Sequence, residues 1–347
     1  MLPTKQYIVA GLFYSGMRKL YRILTILVFS AILWGNGSYA QSFDLAVHSR
    51  GISFGNSRQF AGLRFNFMDS NVERVTGVNI TFYKAHDNKN AVVKGVSLGL
   101  IGPEAGSLKG IQIGGLGVGA EKELAGFSLG LLGAGSGGSI RGITIGGLGA
   151  GAGGDIRGFT FGLLGAGAGK NIRGITIGGI GAGAGGNLTG ITLAALGAGA
   201  GSDISGITFG GIGAGAGGSI RGITIGFIGA GAGRDITGVA VGGVGTGCGG
   251  TLTGIALAGF GVASPEIRGI SCAVGMVKSD ETEDKEGIFT GLSISACNKI
   301  EGRLNGVSLG IVNYAYRLKG VQIGVVNYVR DNPHYLRSLP VINARFK

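Results

Sequence analysis

A 16-residue repeat governs what this chain can fold into. The segments "IRGITIGGLGAGAGGD", "IRGFTFGLLGAGAGKN", "IRGITIGGIGAGAGGN" and "LTGITLAALGAGAGSD" start at Ile140, Ile156, Ile172 and Leu188. The period holds without insertion from Leu108 to Thr251, nine units in 144 residues. Outside this block the signature apolar-x-Gly-apolar-x-apolar recurs at Phe60, Val75, Val93, Leu252, Ile267, Phe289, Leu304 and Leu318, which makes seventeen units, and a degenerate one begins at Ser49. Units this short cannot each bury an apolar face alone, but stacking them builds a continuous core.

With Ile140 as slot one, Ile143 and Ile145 alternate with Gly142, Thr144 and Gly146, the period of a strand. After Gly146-Gly147 the phase flips: Leu148, Ala150 and Ala152 alternate with Gly149, Gly151 and Gly153, and Gly153-Gly154-Asp155 forms a turn. Two short strands separated by glycine corners direct Ile140, Ile143, Ile145, Leu148, Ala150 and Ala152 inward on this reading, with the threonines outside. The expected fold is all-β, a β-solenoid of about 17 coils with one 16-residue unit per coil. At about 4.8 Å per coil the rod is on the order of 80 Å long.

An antiparallel outer-membrane β-barrel is the competing architecture, because a strand of about ten residues plus a turn also fits the period. Slot eight reads Gly115, Leu131, Gly147, Leu163, Gly179, Ala195, Gly211, Phe227, Gly243. That alternation is a 32-residue super-period, as hairpins would produce and as a doubled ancestral unit would too. Phe346 beside the C-terminus also fits a barrel. Against it, the regular block has no Trp or Tyr for aromatic girdles and no charge within its strands to line a wet lumen. The solenoid is the preferred expectation.

Glycine accounts for 77 of the 347 residues, and 53 of those lie in the regular block. Collagen is excluded by the 5 prolines and the absence of Gly-x-y triplets, and disorder by 44% hydrophobic against 14% charged residues. An interior glycine costs up to about 1 kcal/mol relative to alanine, so a steric reason is required. The second strand's outward slots are nearly all glycine, which makes a flat face that the outer membrane or another β-sheet could approach closely.

Residues 1–40 read as a signal peptide. Lys5, Arg18, Lys19 and Arg22 precede the apolar run Leu24 to Trp34, and Ser38-Tyr39-Ala40 supplies the small-x-small cleavage pattern. The mature chain then starts at Gln41 and is exported, to the cell surface or outer membrane. Residues 41–59 form an N-terminal cap or degenerate repeat, 60–330 a single array with its regular block at 108–251, and 331–347 a C-terminal cap. Without the leader, 26 Lys and Arg face 18 Asp and Glu, a thinly spread +8 with no basic stripe for nucleic acid.

No catalytic constellation, cofactor site or metal site is expected. His48, His86 and His334 are scattered outside the block, and "LGAGAGKN" lacks the first glycine and the Ser/Thr of a phosphate loop. Slot sixteen reads Glu123, Ser139, Asp155, Asn171, Asn187, Asp203, Ser219, Asp235, Thr251, so no adjacent units both carry carboxylates. These residues read as turn formers bonding their own backbone rather than as cation ligands. Cys248, Cys272 and Cys297 fall in slots read as inward and behave as small buried hydrophobes, a Cys272–Cys297 bridge being within reach. Two surface features remain. Thr144, Thr160, Thr176, Thr192, Thr208 and Thr224 form a ladder with Arg141, Arg157 and Arg173 beside it, which in outline resembles an ice- or glycan-binding face. The second is the insertion "KSDETEDKE" (278–286), a solvated acidic loop or a cation binder.

The segment "LNGVSLGIVNYAYRLKGVQIGVVNYVRDNPHYLRSLPVINARF" (304–346) resembles the bacterial surface-repeat proteins of spirochaetes and Bacteroidetes, whose units read "GLQIGLVN" and which close with "LPxxN" and a near-terminal phenylalanine. The central block keeps the Gly-apolar-x-apolar-Gly core but replaces Val-Asn with "GLGAGAG". The resemblance implies export to the envelope or surface and assigns no catalytic residue. The expected role is structural or adhesive, without catalysis; the alternative is a barrel acting as pore or platform.

Overall fold

The computed structural model describes residues 42–281 and 286–346. The leader and its cleavage site, and part of the acidic insertion, lie outside the described residues. Each regular unit contributes a long strand, such as Ile156–Gly162, and a short one, such as Gly165–Ala168. Every long strand pairs in parallel with the long strand one unit on (Ile156 with Ile172, Thr160 with Thr176), and every short strand with the next short strand (Ala166 with Ala182). All 30 strands join one continuous wound sheet. About sixteen coils stack in this way, from Arg50–Gly55 to Val312–Val329, close to the number of signatures.

This is a β-solenoid. The barrel is overturned by pairing direction, since a barrel made of hairpins needs antiparallel neighbours. Among the described residues antiparallel pairs occur only at the ends, where Ser42–Val47 folds back on Arg50–Gly55 and Ser338–Arg345 on Val312–Val329.

The assignment of faces needs correction. Glycine in slot three has positive φ in every regular coil, for example +111° at Gly142 and +134° at Gly174. That conformation is open to glycine and strained for other residues, and a β-carbon there would overlap the carbonyl oxygen of the same slot one coil back. Slots one, five and seven share the inner face, as the period of two along the strand requires. Ile140, Thr144, Gly146, Ala150 and Ala152 point in; Ile143 and Leu148 are exposed and Ile145 is half-buried. Ile140, Ala150 and Ala152 are inside as expected; Ile143 and Ile145 of the long strand and Leu148 at the corner are not, and Thr144 takes the inward place.

In the central coils the interior is narrow at slot seven. A β-carbon built on Gly146 would overlap the carbonyl oxygen of Gly149 and meet the backbone nitrogen of Ala134 at 3.0 Å. Threonine, alanine and glycine fit between the two sheets, while isoleucine or leucine fits at slot one, beside the turn. Glycine is thus not confined to corners and outward slots; slot seven is an inward glycine in most regular coils.

Slot five forms a column along the whole array. It runs from Ser53 through Arg64, Asn79, Ser97, Gln112, Ser128 and the six threonines to Ala240, Ala256, Ser271, Ser293, Ser308 and Gln322, all buried. Near the N-terminal end the two terminal nitrogens of the Arg64 guanidinium donate to Asp69 at 2.6 Å, Asn79 at 2.8 Å and Asn56 at 2.9 Å, while its Nε finds no partner among the described residues. Toward the C-terminal end Asn298 and Asn313 replace the slot-eleven alanines. Asn298 donates to Asn313 at 2.8 Å, Asn313 donates to Asn327 at 2.7 Å, and Ser308 donates to Asn313 at 2.7 Å. In the central coils alanine stands opposite, and the hydroxyls of Thr160, Thr176, Thr192, Thr208 and Thr224 find no hydrogen-bond partner among the described residues.

Candidate functional site

The coil has four outward regions of different chemistry. The long strand's outer face carries two apolar rows, slot four (Ile143, Phe159, Ile175, Ile191, Ile207, Ile223) and slot six (Ile145, Phe161, Ile177, Leu193, Phe209, Ile225), each residue exposed or half-buried. The corner between strands carries slots eight and nine, the latter an exposed row through Leu148, Leu164, Ile180, Leu196, Ile212 and Ile228. The short strand's outer face is the glycine strip. The remaining turn is polar.

On the glycine strip, the backbone does not demand glycine in slot ten. A β-carbon on Gly149 would have its nearest neighbour at 3.7 Å, and one on Gly197 would meet nothing within 4 Å. The C-terminal coils confirm the room: Met276, Cys297 and Val312 occupy slot ten, and Lys278, Lys299 and Tyr314 occupy slot twelve, in the same parallel register. Slot ten is therefore glycine by composition rather than by backbone necessity, whereas slot twelve is tighter in the regular coils, a β-carbon on Gly151 or Gly183 lying 3.0 or 2.9 Å from the next coil's carbonyl oxygen.

The corner behaves differently. A β-carbon on Gly147, Gly179, Gly211 or Gly243 would overlap the carbonyl oxygen of slot eight in the preceding coil. The coils between carry Leu131, Leu163, Ala195 and Phe227 there. Exposures of 65%, 55% and 77% at Leu131, Leu163 and Phe227 make these the most protruding apolar groups of the regular block. The 32-residue super-period is therefore an alternation of corner conformation, not a trace of hairpins.

At the turn, the slot-sixteen residues bond forward to the next coil instead of closing their own turns. Asp155 Oδ1 accepts from the Asn171 backbone N–H (3.2 Å) and side-chain amide (3.0 Å). Asn171 Oδ1 accepts from Asn187 N–H (2.9 Å), Asn187 from Asp203 (3.1 Å), and Asp203 from Ser219 (2.8 Å). Bonds from Asn171 hold the Asp155 carboxyl below its ordinary pKa, with Arg157 adding a smaller attraction. The Ser219 N–H does the same for Asp203, and a hydrogen bond from Lys109 for Glu123.

Arg141, Arg157 and Arg173 do form an exposed outward ladder. Arg141 lies 3.5 Å from Glu123 and Arg157 3.9 Å from Asp155. The threonine ladder is in register but faces the core, at most 1% exposed from Thr144 to Thr224, so it cannot present an ice- or glycan-binding surface. Of the cysteines, Cys248 packs against the core, whereas Cys272 and Cys297 occupy outward slots six and ten, and all three are free thiols. Among the described residues no group of three His, Cys, Asp or Glu side chains converges to hold a metal.

The sequence reading missed the exposed isoleucine rows and the buried asparagine ladder. The ladder had a visible signal, an Asn recurring at one slot of consecutive C-terminal units. Comparisons with protein-family models, curated proteins and solved structures found no match.

Proposed function

We propose that the chain is an exported repeat protein of the cell envelope or surface, with a structural or adhesive role and no catalysis. The observation that supports this most is the outer surface of the rod: apolar rows and a flat glycine strip extend over many coils, while the polar groups are gathered at the turn. A surface of this size and constancy suits sustained contact along the rod. The basic, apolar and small-residue pattern of residues 1–40 supplies the export route on this reading. The resemblance of the last coils to bacterial surface repeats points the same way.

Expression in a Gram-negative host, followed by intact-mass measurement and protease treatment of whole cells, tests the proposal. Loss of residues 1–40, with fragments released from intact cells, is the expected result. A full-length chain protected until the cells are lysed would refute it.

A further inference from the structure

We propose that the corner ridge is a homodimer interface, in which a second copy of this chain docks antiparallel with its protruding side chains seated over the glycines of the first. The relief of the ridge is the observation behind this. Protrusions at Leu131, Leu163 and Phe227, with the smaller Ala195, alternate with Gly147, Gly179, Gly211 and Gly243, where the preceding carbonyl forbids a β-carbon. The spacing of like residues is two coils, roughly 9.6 Å.

A two-fold axis between the coils of Gly179 and Ala195, perpendicular to the rod, matches this relief to itself. It sets Leu131 against Gly243, Leu163 against Gly211, Ala195 against Gly179 and Phe227 against Gly147, and then repeats the four pairs in reverse. Within slot eight each large group meets a glycine and no two large groups meet, while the exposed slot-nine row, Leu132 through Val244, packs against its own counterpart. This is the pairing an isologous interface requires.

Area and charge agree with a second copy. Eight coils at about 4.8 Å, with a strip about five residues wide, bury roughly 600 Å² per partner, where stable interfaces begin. Slots four to thirteen of these coils contain no charged residue, so facing ridges bring no like charges together. A fluid bilayer would gain nothing from a two-coil alternation. The cations that could draw the rod to anionic lipid lie at the opposite edge, several already beside carboxylates of slot sixteen.

The test is the oligomeric state of the full chain by sedimentation equilibrium, alone and with phosphatidylethanolamine–phosphatidylglycerol vesicles. The native chain is expected to be dimeric at micromolar concentration. The triple variant Leu131→Ser, Leu163→Ser, Phe227→Ser should raise the dimer dissociation constant at least tenfold with unchanged circular dichroism, because alternate coils already carry glycine there. Ala195→Cys, one coil from its counterpart, should form an intermolecular disulfide under oxidation that the native chain does not form. Leu131→Cys, whose counterpart is seven coils away, should not. A monomeric native chain, a dimer indifferent to the triple variant, equal cross-linking at both positions, or a monomer that floats with vesicles would each overturn the proposal.

Discussion

A threonine with its hydroxyl inside a narrow core is out of place by ordinary rules, since a buried polar group without a partner costs about 1–3 kcal/mol. Position 176 shows what the slot does demand. In the regular coils that follow Ser128 the column holds only threonine and alanine, and Ala240 and Ala256 satisfy it with no hydroxyl. Thr176→Val should therefore stabilise the protein by about 1 kcal/mol, read as a higher urea midpoint. Ser308→Ala should do the opposite, because the Ser308 hydroxyl donates to the buried Asn313. If Thr176→Val were destabilising instead, the hydroxyl must be bonded. Threonine's inward position was masked in the sequence because hydrophobicity sorts isoleucine inside and threonine outside. Counting alternation from slot one places slots five and seven inside, but the apolar side chains of slots four and six outweigh that count when faces are assigned by hydrophobicity.

At the level of the strand and turn, much more was legible. The period, the two strands per unit, the inward alanines and the glycine corners all follow from spacing, and the structure has them. What spacing could not reveal was the partner of each turn residue, since a bond to the next coil and a bond to the local backbone use the same side chains. That difference has a pH consequence. The Asp155 and Asp203 carboxyls are held below their ordinary pKa in the folded state. Their stabilising contribution is therefore present above the unfolded-state value and is lost as pH falls through the lower folded-state value. Thermal melting followed by circular dichroism should show a stability loss below about pH 4. The double variant Asp155→Asn, Asp203→Asn should melt like the parent at neutral pH, as Asn171 and Asn187 already do the same job, and should lose less in acid. An unchanged acid slope would show that these carboxyls do not carry the effect.

For the whole molecule, a stack of parallel strands has two open edges, and each would template another chain. Here an antiparallel strand folds over each end. Removing residues 338–347 takes away Ser338–Arg345 and bares the last coil's ladder. The shortened chain should associate end to end, with light scattering rising over time at a concentration where the full chain is stable; unaltered scattering would mean the strand has no such role. That the ends differ from the middle was legible from the broken repeats at 41–59 and 331–347, but the direction of the terminal strands was not.

The alternating corner also sets a rule for length. Losing or gaining one 16-residue unit leaves every inward slot in place, so the core tolerates it, but the corner then meets a neighbour of its own kind and the ridge falls out of phase. Two units restore the phase. Natural or engineered variants that keep the ridge should therefore differ by multiples of 32 residues, so that the molecule lengthens in steps of roughly 9.6 Å, like a ruler marked only at every second division.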